Sequence, residues 1–326
     1  MHVPAQEQVV RFFGRVLATD RLSHAYLFLG PPGVGKVAMA LELTRALFCL
    51  DRQTRSEADG LGSCGRCRNC LRIEHGNLPD LHWVRREKGR RDIRMEETET
   101  MQRELALKPT EGPWKVFIIE EADRLNVSSA NSLLKVLEEP PDRSLLILIA
   151  EEVENFLPTV LSRCQLVRFR ALPVDTIVSV LEKEGVQPEA AQFLARLSGG
   201  SLGRARELSQ GDFYETHRWL VERIAAMSPD QNFVLAGEVR RRLGEIAGTR
   251  QDEREMLYAQ LDGLLLAFRD RLSCASGAGE LTQVTALQEV IEKTMEASSA
   301  IVANANVSLV LENLFFDVAG GAAGSL

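Results

Sequence analysis

Gly30-Pro31-Pro32-Gly33-Val34-Gly35-Lys36 has the spacing of a phosphate-binding loop. In such a loop the glycines let backbone N–H groups close around phosphate oxygens, and the lysine brings a charge to the outer phosphates. Ser or Thr ordinarily comes next and ligates magnesium through its hydroxyl; this chain has Val37, which offers no oxygen. Glu120 and Glu121 form a second candidate group, two carboxylates delivered by the apolar run Lys115 to Ile119 in the manner of a Walker B element. The first of these acids is usually Asp, so Glu120 carries the right charge on a side chain one methylene longer. Glu121 stands where a water-activating Glu would be. Together these residues suit ATP and magnesium, with the grip on phosphate present and the grip on the metal weakened.

A different chemistry gathers in Cys49, Cys64, Cys67 and Cys70, the last three in SCGRCRNC. Two-residue gaps let a tight turn present neighbouring sulfurs to one ion, and four thiolates close a tetrahedral zinc shell. Such a shell has no open position for water, so the expected role is structural. Arg66, Arg68 and Arg72 make the knuckle locally basic. Cys164 and Cys274 lie far apart in sequence and read as buried apolar thiols, and the five histidines show no ligand spacing.

These groups need elements to hold them. Ala25 to Leu29 is a short apolar strand that enters Gly30, and Ala38 to Phe48 carries helix-spaced apolar residues, so the glycine loop lies between strand and helix. Leu145 to Ala150 is a third unbroken apolar run, and strands separated by helical stretches imply a parallel sheet covered on both faces. From Asp212 onward the sequence is helical in pattern, with apolar stripes that suit a packed bundle and no catalytic spacing.

The 326 residues, 45% hydrophobic and 26% charged, are enough for two or three domains. A net charge of −7 gives no global field for nucleic acid and favours protein partners. The apolar runs are too short to span a bilayer and the N-terminus has no signal-like core, which points to the cytoplasm, as does clustering of cysteines in place of a disulfide framework.

Several stretches, in order, resemble the bacterial clamp-loader subunits of DNA polymerase III, an AAA+ family: HAYLFLGPPGVGK, the cysteine knuckle after its helix, KVFIIEEADRL, ANSLLKVLEEPP, and LSRC followed by QLVRFRAL. The resemblance covers roughly the first two hundred residues. It implies an α/β P-loop domain over residues 1–171 with the knuckle (49–70) inserted, a small helical lid over 172–211 and an all-α collar over 212–326. It also implies a hetero-pentamer with gamma/tau and delta subunits, acting on a sliding clamp and primed DNA.

Within that family the departures favour the stator type, delta-prime, over the ATPase motor type. The stretch before Gly30 is short, Val37 and Glu120 weaken the metal site, and Glu151-Glu152 replaces the polar sensor after the LLILIA strand. The implied site is degenerate in cis, with Gly30, Gly33, Gly35 and Lys36 as its remaining phosphate ligands. Arg163, in Ser162-Arg163-Cys164, corresponds to an arginine finger offered to ATP on a neighbouring subunit. Two other readings use the same residues. A gamma-like motor would tolerate Val37 and Glu120, and a zinc-containing DNA-binding protein would keep the loop as a relic.

Overall fold

The computed structural model describes residues 6–51, 61–85, 103–104, 107–154, 156–228, 231–278 and 280–321. The chain forms two compact units, one of residues 1–180 and 198–204, the other of 181–197 and 205–326. The segment 172–211, expected as a separate lid, is shared between them, with 172–180 and 198–204 in the first unit and the rest in the second.

The first unit is built on a five-stranded sheet. Its strands are β1 (Ala25–Leu29), β2 (Leu81–Val84), β3 (Lys115–Ile119), β4 (Ser144–Ala150) and β5 (Gln165–Arg168), in the spatial order β2-β3-β4-β1-β5. Every pairing is parallel. Strands β1, β3 and β4 are buried along their whole length, the condition that the apolar runs express. Helices α1 (Glu7–Ala18), α2 (Lys36–Phe48), α3 (Arg68–Glu74), α4 (Val127–Glu138) and the single turn α5 (Pro158–Leu161) lie in this unit. One core cluster joins Phe13, Tyr26, Phe28, Met39 and Leu43, and another joins Leu27, Phe117, Leu133, Leu146 and Val160. The α/β architecture is thus the one expected.

Asp80, which precedes β2, is fully buried. Its carboxylate accepts hydrogen bonds from the backbone N–H groups of Thr110 (2.6 Å), Glu111 (2.8 Å) and Gly112 (2.8 Å). Burial alone would raise its pKa, but the three N–H groups and Lys115 outweigh burial and hold it below the ordinary value. A depressed folded-state pKa stabilises above the unfolded-state pKa, and that contribution is lost as pH falls through the folded value. Asp80→Ala, which orphans buried N–H groups, should cost about 1–3 kcal/mol at neutral pH. It should also flatten acid destabilisation of the chain, both read from denaturant midpoints against pH. An unchanged acid limb would contradict this account.

Helices α6 (Val174–Lys183) and α8 (Leu202–Ser209) each cross from one unit to the other, whereas α7 (Pro188–Leu197) lies in the second. The rest of the second unit is helical: α9 (Phe213–Ala225), α10 (Asn232–Ile246), α11 (Arg250–Ala278), α12 (Leu281–Val302) and α13 (Val307–Gly321). Its core includes Leu220, Leu243, Leu257, Leu261, Phe268 and Phe315. The stretch 281–318, which reads as continuously helical in sequence, is broken between α12 and α13, where Asn304 takes a left-handed conformation at φ 63°. Asn tolerates that region better than most residues. Among the described residues no helix is long and apolar enough to cross a membrane.

Candidate functional site

The glycine loop lies where β1 hands over to α2. Gly35 caps α2 at φ 101°, and Gly33 has φ 69°. A Cβ on Gly33 would run into the hydroxyl of Ser201, so both conformation and space require glycine there. The first turn of α8 rests on this loop, with the N–H of Gly203 donating to the Gly33 carbonyl at 3.1 Å. Gln6, ahead of α1, closes another side, since its Nε2 donates to the carbonyls of Val34 (3.3 Å) and Arg170 (2.8 Å).

Lys36 is buried, and its Nζ donates to the carbonyls of Gly30 and Pro31, the latter at 2.6 Å. Burial pushes its pKa down, while the carboxylates of Glu151 and Asp123 pull it up. The N–H of Gly30 donates to the Ala150 carbonyl at 3.3 Å, because β4 runs beside β1; the acid at 151 thereby stands at the loop. Val37 packs on the core of the unit. The other two candidate acids part company here. Glu120 is drawn to Arg85, whose Nε lies 3.1 Å from its Oε1 and whose guanidinium covers the Trp83 ring. Glu121 is exposed and left-handed at φ 49°. The pairing partner Arg85 carries no sequence signal; it meets Glu120 because β2 lies beside β3.

The four expected cysteines do come together. One sulfur from each of Cys49, Cys64, Cys67 and Cys70 lies within 4.8 Å of the others. Sulfurs on a tetrahedral zinc shell stand about 3.8 Å apart, given Zn–S bonds of about 2.3 Å. The donor set and its spacing therefore fit the ion after a small contraction. Gly65 turns the chain at φ 67°, the N–H of Cys64 donates to the Cys49 sulfur, and the N–H of Cys67 donates to the Cys64 sulfur, both at 3.2 Å. Burial opposes ionisation of Cys67, yet the N–H groups of Leu50 and Cys70 and the thiols around it bring its pKa down to about 6. Burial pushes Cys70 and Cys49 upward.

The cluster is fastened to α2. The Ser63 hydroxyl donates to the buried Glu42 carboxylate at 2.9 Å, and the Asn69 amide donates to the Phe48 carbonyl at 2.9 Å. The knuckle's positive charge is locally answered: Arg68 and Arg72 converge on Glu111, and Arg66 pairs with Asp51. Three arginines thus share two carboxylates, with Arg66 and Arg68 largely exposed. Of the two cysteines outside the cluster, Cys164 is half-buried and Cys274, expected to be buried, is exposed.

Arg163 follows α5, far in sequence from both of these groups. It pairs with Glu138 at the end of α4, and about a third of its side chain is exposed.

The family described as DNA polymerase III, delta subunit, matches residues 5–173. A delta-prime subunit of DNA polymerase III from Bacillus subtilis (strain 168) is 32% identical, over 95% of this chain and 94% of its own length. The chain belongs to the DNA polymerase III delta-prime family. The delta-prime subunit of Escherichia coli (strain K12) is 31% identical over 80% of this chain and 73% of its own. The tau subunit of the same organism reaches 32% identity over 81% of this chain, but the match covers only 42% of tau. End-to-end correspondence with a delta-prime subunit thus accompanies partial correspondence with tau, in agreement with the stator branch read from Val37, Glu120 and Glu151.

Proposed function

We propose that this delta-prime family member is the stator of a bacterial DNA polymerase III clamp loader, and that it assists ATP hydrolysis on a neighbouring subunit while hydrolysing none itself. In this reading it sits in a cytoplasmic hetero-pentamer with gamma/tau and delta subunits and helps place the sliding clamp on primed DNA. The observation that carries the reading is the state of its own loop. Val37 packs on the core and offers no oxygen, Glu120 is paired with Arg85, and Glu151, which follows β4, bears on the charge of Lys36. Each of these removes part of what a magnesium triphosphate needs.

Arg163 is the residue this chain contributes to catalysis, as a finger that answers charge developing on a phosphoryl group held next door. Cys49, Cys64, Cys67 and Cys70 would hold zinc. The ion would tie the end of α2 to α3 and supply no chemistry of its own.

Equilibrium dialysis of the isolated chain with labelled ATP tests the proposal. Because Val37 supplies no ligand, any ATP affinity should be the same with and without magnesium. A steep gain in affinity on adding magnesium would place the chain with the motor subunits.

A further inference from the structure

Arg163 is held before any partner arrives. Its Nη2 lies 2.9 Å from Oε1 of Glu138, and its Nη1 donates to the Thr159 carbonyl at 2.9 Å and to the Ser162 hydroxyl at 3.2 Å. These anchors come from two elements. Glu138 is the last residue of α4, in the stretch LLKVLEEPP, whereas Thr159 lies within α5 and Ser162 caps it. The two elements pack together through Leu133, Val136 and Leu137 on one side and Val160 and Leu161 on the other. The carboxylate and the carbonyl thus hold different nitrogens of one planar group, which fixes its direction as well as its place.

We propose that Glu138 is a positioning residue for Arg163, one that fixes the direction of the guanidinium so that it meets a neighbour's triphosphate already ordered. The proposal rests on the reading of Arg163 as a finger. An unheld arginine reaches a phosphoryl group only by giving up the freedom of its long side chain, and that loss adds to the barrier. Held between α4 and α5, the same group has lost the freedom on folding. Glu138 yields Nη2 when phosphate oxygens, which carry more charge than a single carboxylate, come within reach, while Nη1 stays on the Thr159 carbonyl. An ordinary exposed ion pair would also show a short contact, but it would have no consequence for turnover.

The test is steady-state ATP turnover by the reconstituted loader with clamp and primed DNA, using this chain unaltered and as Glu138→Ala, Glu138→Gln, Arg163→Ala and the double Glu138→Ala/Arg163→Ala. Glu138→Ala should lower the share of kcat that depends on Arg163 by about 10-fold with the KM for ATP unchanged, the pattern of an interaction felt only in the transition state. Glu138→Gln keeps an oxygen acceptor in the same place and should recover most of that loss. The double variant should match Arg163→Ala alone. If Arg163→Ala lowers turnover while Glu138→Ala does not, or Glu138→Ala raises it, Glu138 does not position the finger and the finger reading stands. If Arg163→Ala leaves turnover unchanged, the finger reading fails and this inference fails with it. Glu138→Gln, close in shape, separates a positioning effect from loss of the fold, and equal thermal midpoints for both Glu138 variants should accompany the difference in rate.

Discussion

Serine in place of Cys70, or treatment of the chain with a strong chelator, should release about one zinc per chain and markedly lower the thermal midpoint of the first unit. Cys70 is fully buried inside α3, so its sulfur cannot be replaced by a water ligand without opening the helix. The knuckle is fastened through Ser63 to Glu42 and through Asn69 to the end of α2, and α2 begins at the glycine loop. Loss of the ion therefore loosens a helix on which the core of the unit depends, with Met39, Leu43 and Phe48 all in that core. Structural zinc in small domains contributes about 10–16 kcal/mol of apparent binding free energy. The sheet has apolar cores of its own, so only a part of that figure should appear as destabilisation. Metal analysis of gently purified protein together with calorimetry before and after chelation checks this. Protein that carries no metal and melts at the same temperature with and without chelator would remove zinc from the account.

The second large effect is on rate. Arg163→Ala should abolish the assistance this chain gives to one neighbouring site, and fingers of this type are worth about 10³ to 10⁵ in turnover at the site they serve. In the proposed assembly, the loader as a whole should lose only the share of the site that this chain serves. The thermal midpoint of the isolated chain should barely move, since the pair with Glu138 is partly exposed and pairs at the surface contribute about 0–1 kcal/mol. A rate loss without a stability loss separates a finger from a structural arginine.

Much of the sheet-bearing unit of this chain is legible in its sequence, for a physical reason. In a parallel sheet covered on both faces the inner strands must be apolar at every position, so β1, β3 and β4 stand out as runs, and the glycine loop and the acids are found at their ends. The cysteines are legible because ligand spacing is local. β2, LHWV, is short and only half-buried at the sheet edge, and nothing in its composition separates it from a loop. Without β2 the partner of Glu120 cannot be named, since Arg85 reaches it only by strand adjacency. The same holds for Glu138 and Arg163, two residues in separate motifs that the packing of α4 on α5 turns into one device. The seating of Gly203 and Ser201 on Gly33 likewise depends on a return of the chain across more than 160 residues, which no local pattern encodes.

In the proposed role this chain lends a charge to a neighbour's chemistry and burns no ATP of its own. ATP turnover by the reconstituted loader on clamp and primed DNA, with this chain unaltered, as Arg163→Ala and as Lys36→Ala, separates a stator from a motor. Arg163→Ala should cut turnover and Lys36→Ala should leave it unchanged, because Val37 gives the loop no metal ligand and Glu120 is paired with Arg85. If Lys36→Ala removes a share of turnover instead, the loop is working, Val37 is no barrier, and the chain is a motor.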